Sequence, residues 1–305
     1  MKQAHARTSL ARLCWLFGMS RQAYYQHGWK QIHQGTEQEI ILRLVSTLRE
    51  IHPRMGVRKL YELLQEELSS HGIQIGRDAL FALLRTNNLL IRKRRRKAVT
   101  TWSNHPYRKY NNLIKNLTLT TPNQVWVSDI TYLKTQQGFV YVSLITDAYS
   151  KKIVGYDVAS NLESVNALNA LQMALRDLTS PTTNLIHHSD RGIQYCTHDY
   201  INLLKANTIR ISMTETGDPI ENAIAERVNG ILKHEYLLLQ PIKNQQHAMK
   251  LLDNAVAVYN KHRPHLSCNM FTPQEVHQEH LVVKRLWKSY YNKTKKTTFV
   301  NPVQD

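Results

Sequence analysis

The sequence lacks several features that mark common protein classes. Its 305 residues include only three cysteines, Cys14, Cys196 and Cys268, which are too few and too scattered for a disulfide framework or a zinc module with paired cysteine ligands. No apolar run approaches the ~20 residues that cross a bilayer, and no signal-peptide core is present in residues 1–30. We therefore expect an intracellular protein in a reducing compartment, with no membrane partner.

Nucleotide-binding loops and negative charge are also scarce. No Gly-x-x-x-x-Gly-Lys phosphate loop is present, which disfavours an ATP-driven motor. Only 23 acidic residues stand against 40 basic ones, and residues 1–120 alone carry 21 basic and 7 acidic side chains, a net charge of +14. An excess this localised favours contact with the phosphate backbone of a nucleic acid. A basic surface that only promotes solubility remains the alternative.

Helical patterns fill the first third of the chain. Leu10, Leu13 and Phe17 recur at helical spacing, Gly18 ends that helix, and Ser20 can cap a second one. This pattern is compatible with a helix-turn-helix that contacts DNA and equally with any short helical hairpin. Apolar stripes predict three more helices, marked by Ile40, Leu44 and Leu48, by Leu60, Leu64 and Leu68, and by Leu80, Leu83 and Leu84.

A run of basic residues follows these helices. It comprises Arg92, Lys93, Arg94, Arg95, Arg96 and Lys97. Like charges in succession repel one another unless a polyanion neutralises them or solvent separates them. We interpret the run as a phosphate-binding arm, with an exposed linker as the alternative. It ends a predicted helical DNA-binding region at residues 1–97, and the polar residues 98–120 are predicted to connect that region to the main domain.

The pattern changes from helices to strands at Val125. Three β-branched and aromatic segments, at 125–133, 139–146 and 152–158, predict an antiparallel meander, and the second is apolar on both faces and so belongs inside the sheet. A capping box at Ser160-x-x-Glu163 predicts a helix, and two short strands separated by another helix follow at 184–187 and 208–212. This is the element order of a ribonuclease-H-like α/β fold, a mixed sheet flanked by helices. We expect that core at residues 121–280 and a basic tail at 281–305.

Three acidic residues lie at unusual positions in this pattern. Asp129 falls inside an apolar strand, where an ionised carboxylate is costly without a partner or a metal. Asp190 follows a strand, at the edge where ligand sites of α/β sheets gather. Glu226 lies in a polar helical stripe that comprises Asn222, Glu226, Asn229 and Lys233. A water-facing strand, a turn aspartate and a solvent-facing helix are the respective alternatives.

Together these acids fit a metal-dependent reaction. Asp129, Asp190 and Glu226 could converge as oxygen ligands of two Mg²⁺ ions about 4 Å apart, an arrangement that suits phosphodiester chemistry. One ion would activate the attacking oxygen and the other would stabilise the leaving 3′ oxygen.

Several longer motifs contain or follow the three acids. They are Trp126-Val127-Ser128-Asp129-Ile130-Thr131-Tyr132-Leu133, His188-Ser189-Asp190-Arg191-Gly192-Ile193-Gln194-Tyr195, Glu221-Asn222-Ala223-Ile224-Ala225-Glu226-Arg227, Leu232-Lys233-x-Glu235, and Tyr259-Asn260-x-x-Arg263-Pro264-His265 with Thr272-Pro273. Thirty-five residues separate Asp190 from Glu226, and Lys233 follows the glutamate by seven. In combination they resemble the D,D-35-E integrase catalytic core of bacterial insertion-sequence transposases, specifically the second-open-reading-frame product of elements that move by copy-out and paste-in.

This resemblance implies a function and a set of site residues. It implies a DNA transposase that cleaves element ends and transfers the freed 3′-hydroxyl to another phosphodiester. Asp129, Asp190 and Glu226 would be the catalytic metal ligands for two Mg²⁺ ions, for which Mn²⁺ substitutes, and Lys233 would contact donor-end DNA. A lysine on the helix surface that pairs with its neighbours is the alternative for Lys233. A catalytically silent DNA-binding regulator and a ribonuclease-H-like nuclease are the alternatives.

The resemblance also implies partners. We expect double-stranded DNA at the element ends and at the target, a homo-oligomer on that DNA, and action on the bacterial nucleoid in the cytoplasm. In this family an upstream reading frame often supplies a helix-turn-helix and leucine-zipper segment. Because no sustained leucine heptad is visible in this sequence, that segment is a further expected partner.

Overall fold

Two compact units make up the chain in a computed structural model, which describes residues 8–91, 106–115, 117–178, 184–215 and 222–283. The first unit comprises residues 1–100 and 230–241, and the second comprises residues 101–229 and 242–305. None of the described helices is long and apolar enough to cross a bilayer.

The first unit is helical. Its helices are α1 (Leu10–Leu16), α2 (Arg21–Ile51), α3 (Val57–Ser70) and α4 (Arg77–Thr86). The expected helix, glycine turn and capped helix are present, since Gly18 takes a φ of 65° and the Ser20 hydroxyl accepts a hydrogen bond from the Ala23 amide at 3.0 Å. That this segment contacts DNA stays a prediction.

The prediction of a separate helix around Ile40, Leu44 and Leu48 is wrong. These residues belong to α2, which runs unbroken for 31 residues until His52 and Pro53 end it. Only its last part packs against α3 and α4, through a core that includes Ile41, Val45, Leu60, Leu64, Leu68, Leu80 and Leu84. The apolar stripes of the sequence therefore located the core of this unit.

The second unit is built on a five-stranded mixed sheet. Its strands are β1 (Val125–Thr135), β2 (Gly138–Asp147), β3 (Ile153–Ala159), β4 (Ile186–Ser189) and β5 (Arg210–Met213), in the order β3-β2-β1-β4-β5. The first three pair antiparallel, whereas β4 runs parallel to β1 and β5 parallel to β4. The meander, the interior position of β2 and the ribonuclease-H-like fold class are confirmed.

Helices cover both faces of this sheet. They are α5 (Ser164–Arg176), α6 (Ile193–Cys196), α7 (His198–Ala206), α8 (Ala223–Ile231), α9 (Gln245–His262) and α10 (Pro273–Gln278). Trp126 packs on the face that holds α5 and α7, whereas its neighbours Val125 and Val127 pack on the opposite face with Ala225 of α8. Because side chains alternate along a strand, the odd-numbered residues of β1 face α8.

The start of α5 differs from the expected capping box. The N-cap is Glu163, without a side-chain hydrogen bond, and Ser160 lies in the preceding loop. That loop has a different anchor, because the Asn166 side-chain amide donates to the Asn161 carbonyl at 2.7 Å. The serine-to-glutamate spacing was therefore a coincidence.

Part of the C-terminal motif anchors α9 to the sheet. Asn260 bonds both backbone groups of Ile153 at the start of β3, accepting from its amide and donating to its carbonyl, each at 2.9 Å. Arg263 is 2% exposed and donates to His265 at 3.0 Å. These contacts give the motif a role in packing.

Helix α5 packs closely on β3 at Gly155, and a substitution there tests this packing. A Cβ atom at this position would collide with the Ala170 carbonyl oxygen and touch the Ala174 side chain. We expect Gly155→Ala to lower the free energy of unfolding by about 1–3 kcal/mol, the usual cost of overpacking. Urea denaturation measures it, with Gly230→Ala as the control because an added Cβ there meets no described atom within 4 Å. Equal stability of the two variants would contradict this packing.

Candidate functional site

Strand pairing brings Asp129 and Asp190 to equivalent positions. The parallel register of β1 and β4 pairs Val127 with His188. Each aspartate lies two residues beyond its member of that pair, at the carboxyl end of the paired segment. Neighbouring strands are about 4.8 Å apart, and paired residues point to the same side of the sheet. Both carboxylates therefore face the layer that contains α8.

Two asparagines, one in α8 and one directly before it, bond to strand β1. The Asn229 side-chain amide donates to Asp129 Oδ2 at 2.7 Å, and the Asn222 side-chain amide donates to the Ser128 carbonyl at 3.0 Å. Both asparagines are 5% exposed. The polar stripe predicted on this helix thus turns these two members toward β1, and the solvent-facing interpretation does not hold for them.

Asp190 shapes the turn after β4. Its Oδ1 atom accepts a hydrogen bond from the Gly192 amide at 3.0 Å. A Cβ at position 192 would lie 2.9 Å from that same oxygen. Glycine therefore permits the backbone to approach the carboxylate. The turn-forming interpretation of Asp190 is therefore correct.

The three acids affect one another electrostatically. Burial is the main cause that raises the pKa of Asp129 to about 7, the charges of Asp190 and Glu226 act in the same direction, and the Asn229 hydrogen bond opposes them. Partial desolvation and the charge of Asp190 raise the pKa of Glu226, which is the most accessible of the three. Such an accumulation of negative charge favours a cation.

Carboxylate oxygens suit a hard cation such as Mg²⁺, but the three acids are not arranged as a complete set of metal ligands in this structure. In the parts of the chain that the structure describes, no group of three or more His, Cys, Asp or Glu side chains is arranged to hold a metal ion. However, the Oδ1 atoms of Asn222 and Asn229 and the hydroxyl of Tyr195 are buried without a hydrogen-bond partner among the described residues. Burial and the charges of Asp190 and Asp129 raise the pKa of Tyr195. Asn229 bonds Asp129 and Asn222 bonds the residue before it, so these two side-chain oxygens lie near the site and can accept hydrogen bonds from water.

A buried hydrogen-bond network lies on the opposite face of β1. His187 Nε2 bonds the Ser128 hydroxyl at 2.7 Å and the Tyr200 hydroxyl at 2.9 Å. Burial lowers the pKa of His187 to about 3, so the ring is neutral at physiological pH. On the face that holds α8, His188, which pairs with Val127, bonds Ser212 at 2.8 Å. Both histidines are therefore packing and hydrogen-bonding residues that support the two aspartate-bearing strands.

The predicted DNA-binding residues are distributed differently. Lys233 lies in a π-helical turn, Leu232–Tyr236, which follows α8 directly and belongs to the first unit. In that unit the Tyr236 hydroxyl bonds His52 Nδ1 at 3.0 Å, which fixes the end of the turn. The basic run Arg92, Lys93, Arg94, Arg95, Arg96 and Lys97 lies outside the described residues.

Sequence reasoning missed the role of two site residues. Asn229 was assigned only to the polar stripe, and its bond to Asp129 became visible with the structure. Its spacing of three from Glu226 places it on the same helical face, and this was the available signal. Tyr195 was part of a family motif, but nothing in the sequence indicated that its hydroxyl is buried beside the acids.

The pKa of Asp129 predicts a pH-dependent stability in metal-free protein. Between pH 4 and 7 the folded state keeps a proton that the unfolded state, with a pKa near 3.8, has released. The free energy of unfolding therefore falls as pH rises through this window, by roughly 1.4 kcal/mol per pH unit, and levels off above it. We expect Asp129→Asn to gain stability relative to the unmodified chain as pH rises from 5 to 8. Urea denaturation with chelator measures this, Asp199→Asn is the exposed control, and a pH-independent difference would refute it.

Comparisons with known proteins identify the family to which the chain belongs. Two family models described as integrase core domain match residues 120–219 and 207–273. The chain is 35% identical over 263 residues to a 31 kDa protein of insertion element IS600 from Shigella sonnei, covering 86% of this chain and 96% of that protein. It is 34% identical to the transposase of insertion sequence IS629 from Shigella sonnei, covering 70% of each chain.

More distant relatives follow. The chain is 27% identical to the transposase InsF of IS3 from Escherichia coli, covering 92% of this chain and 98% of that one. A solved HTLV-2 integrase catalytic core in complex with magnesium is similar at 19% identity and a TM-score of 0.41, covering 52% of this chain and 97% of that one. The integrase core matches and the extensive identity to insertion-element proteins show that the chain belongs to the IS3-type family of bacterial insertion-sequence transposases.

Proposed function

We propose that this transposase cleaves the ends of its element and joins the freed 3′-hydroxyl to another DNA phosphodiester, with Asp129, Asp190 and Glu226 as the catalytic residues. The observation that supports this most directly is that Asp129 and Asp190 lie at equivalent positions of two paired parallel strands, beside the helix that carries Glu226 and whose Asn229 bonds Asp129. A site that concentrates negative charge can hold the cations needed to bind a phosphodiester.

The acids would bind two Mg²⁺ ions, for which Mn²⁺ substitutes. Carboxylate oxygens are the ligands that both ions prefer, and the orphaned Asn222 and Asn229 oxygens supply acceptors for ligated water. When bound, the ions would activate the attacking oxygen and neutralise the charge that develops on the phosphate. The accessible Glu226 side chain can change rotamer to complete this site without repacking the core.

The residues around the acids orient them for two successive reactions, cleavage and joining. Asn229 orients Asp129 by donating to its Oδ2 atom. The Gly192 amide orients Asp190 by donating to its Oδ1 atom. In cleavage, a water oxygen forms a bond to phosphorus and the bond to the 3′ oxygen breaks, leaving a 3′-hydroxyl. In joining, that hydroxyl attacks a second phosphodiester and displaces its 3′ oxygen, so that ester bonds are exchanged and no external energy source is needed.

DNA would be held outside the carboxylate site by basic residues. We assign donor-end contact to Lys233 and phosphate contact to the basic arm, Arg92, Lys93, Arg94, Arg95, Arg96 and Lys97. The partners would be double-stranded DNA at the element ends and the target, further copies of this chain, and the upstream-frame segment. The site of action would be nucleoid DNA in the bacterial cytoplasm. Neither a silent regulator nor a ribonuclease-H-like nuclease is favoured, because the acids are intact and the relatives are transposases.

Substitution of the acids tests the assignment. Asp129→Asn, Asp190→Asn and Glu226→Gln should each reduce cleavage and joining of labelled element ends by at least about 10²-fold, the scale of losing one strong electrostatic stabiliser. Binding of end DNA in chelator should change little, since no phosphate contact is removed. Asp199→Asn is the control and should retain activity. Normal activity in any of the three variants would remove that residue from the proposal.

The salt dependence of binding tests Lys233. If this lysine neutralises one phosphate, Lys233→Ala should flatten the slope of log K against log salt by about 1 and weaken binding of all sequences alike. Electrophoretic mobility shifts at several salt concentrations measure the slope. Lys205→Ala, an exposed lysine at the end of α7, is the matched control. A slope equal to that of the control would assign Lys233 to a structural role.

A further inference from the structure

The first part of α2 is a helix without a core. Within residues 8–91, no buried side chain occurs between Arg21 and Glu39, and burial in α2 begins only at Ile41. Most helical stability in proteins comes from packing of an apolar face, which this part of α2 lacks within the single chain. Gly28 and Gly35 weaken it further, each by roughly 0.5–1 kcal/mol relative to alanine. The surface of this segment therefore indicates a partner.

An apolar seam runs along this segment. Tyr25, Trp29 and Ile32 are 50%, 68% and 69% exposed. Together with Thr36 they are spaced by four, three and four residues, the alternation that keeps one side of a helix in contact with another helix. We define these four residues as the α2 seam. Isolated exposed apolar residues are common, whereas a continuous row of large ones marks an interaction surface.

Charge excludes the DNA backbone as the best occupant of this surface. Residues 21–40 carry two basic residues, Arg21 and Lys30, and two acidic residues, Glu37 and Glu39, so they are neutral within a strongly basic front third. A phosphate-binding helix would be expected to share the positive excess of its surroundings. A neutral, aromatic surface instead fits another protein helix.

The distribution of these charges identifies the partner. Basic residues lie in the first half of the segment and acidic residues at its end. Two parallel copies would place like charges opposite each other. An antiparallel pair, in which Trp29 lies opposite Ile32 of the second copy, brings Arg21 within one helical turn of Glu37 and Glu39 across the interface. Such a pair is self-complementary, as a two-fold interface requires.

The glycines and a groove fit the same arrangement. In the antiparallel register Gly28 approaches Gly35 of the second copy, and an added Cβ at either position meets no described atom within 4 Å. Two helices can approach closely where both carry glycine. Tyr25 of the second copy would meet Thr36, beside a groove lined by Trp29, Ile32, Ile40, Gly72 and Ile73. That groove offers its ring an apolar site.

We propose that two copies of this chain associate through antiparallel pairing of their α2 seams, independently of DNA and of the catalytic site. The interface goes beyond the proposed assembly on DNA because it needs no nucleic acid. The seam residues are exposed in each copy, so their substitution should leave the fold of the single chain intact.

Sedimentation of the full chain in DNA-free, metal-free buffer tests the proposal. The unmodified chain should be dimeric at micromolar concentration. Trp29→Gln and Ile32→Gln should each weaken the dimer by at least about tenfold, as expected for central interface residues. Ile51→Gln is the matched control, since Ile51 is exposed on the same helix but lies off the seam. A monomeric unmodified chain, or a dimer insensitive to both substitutions, would overturn the proposal.

Charge reversal tests the antiparallel orientation. Arg21→Glu should weaken the dimer, and its combination with Glu37→Arg and Glu39→Arg should restore it. Oxidation of Tyr25→Cys mixed with Thr36→Cys should give a heterodimeric disulfide, whereas Tyr25→Cys alone should not. The native cysteines are buried and should not interfere. Crosslinking of Tyr25→Cys to itself would establish a parallel pair and contradict this geometry.

One outcome would assign the seam to DNA instead. If Trp29→Gln weakened DNA binding and left the sedimentation unchanged, the proposed dimer would be wrong and the surface would belong to nucleic acid. Because Asp190→Asn should remain dimeric, failure of the interface and failure of the proposed chemistry are distinguishable.

Discussion

The parallel pairing of β1 with β4 is the constraint on which the catalytic unit depends. It places Asp129 and Asp190 at matching positions of adjacent strands, on the face that α8 covers. Burial of Asp129, and the nearby charges of Asp190 and Glu226, make its ionised form costly, and both raise its pKa. The proposed cation would remove part of this cost. Under the proposed function, the arrangement that lowers stability without metal is the one that binds it.

Neutral hydrogen-bonding groups around the acids reduce the cost of burying their charge. Asn229 supplies a neutral donor to Asp129, and the Gly192 amide supplies another to Asp190. On the opposite face, the neutral His187 network connects β1, β4 and α7 without adding charge. Asn260 anchors α9 at the start of β3. The acids are thus presented by strands that are fixed from both faces, while Glu226 remains accessible on a helix.

Local patterns in the sequence predicted the sheet and the acids because each depends on few neighbours. The β-branched runs located β1, β2 and β3, and an aspartate inside an apolar strand indicated the site that we propose. Other features depend on tertiary contacts. Helix propensities do not predict that α2 continues through Gly28 and Gly35. The spacing of Ser160 and Glu163 matches a capping box, but the loop before α5 is instead anchored by the tertiary bond from Asn166 to Asn161. The inward direction of Asn222 and Asn229 required knowledge of what α8 packs against.

The first unit combines a packed helical core with an exposed apolar surface. Its core is formed by α3, α4 and the end of α2, and the exposed seam of α2 has no such support. Pairing two neutral helices within a basic region would bring two copies together without forcing their positive surfaces into contact. Catalytic sites in separate copies could then act on separate DNA ends, which suits a reaction that joins one DNA strand to another.

Anomalous diffraction from crystals of the full chain grown with Mn²⁺ tests the central claim most directly. We predict anomalous peaks for Mn²⁺ ions that are coordinated by oxygens of Asp129 and Asp190, with Glu226 completing the coordination. Peaks elsewhere in the molecule, with these three carboxylates left without metal, would contradict it.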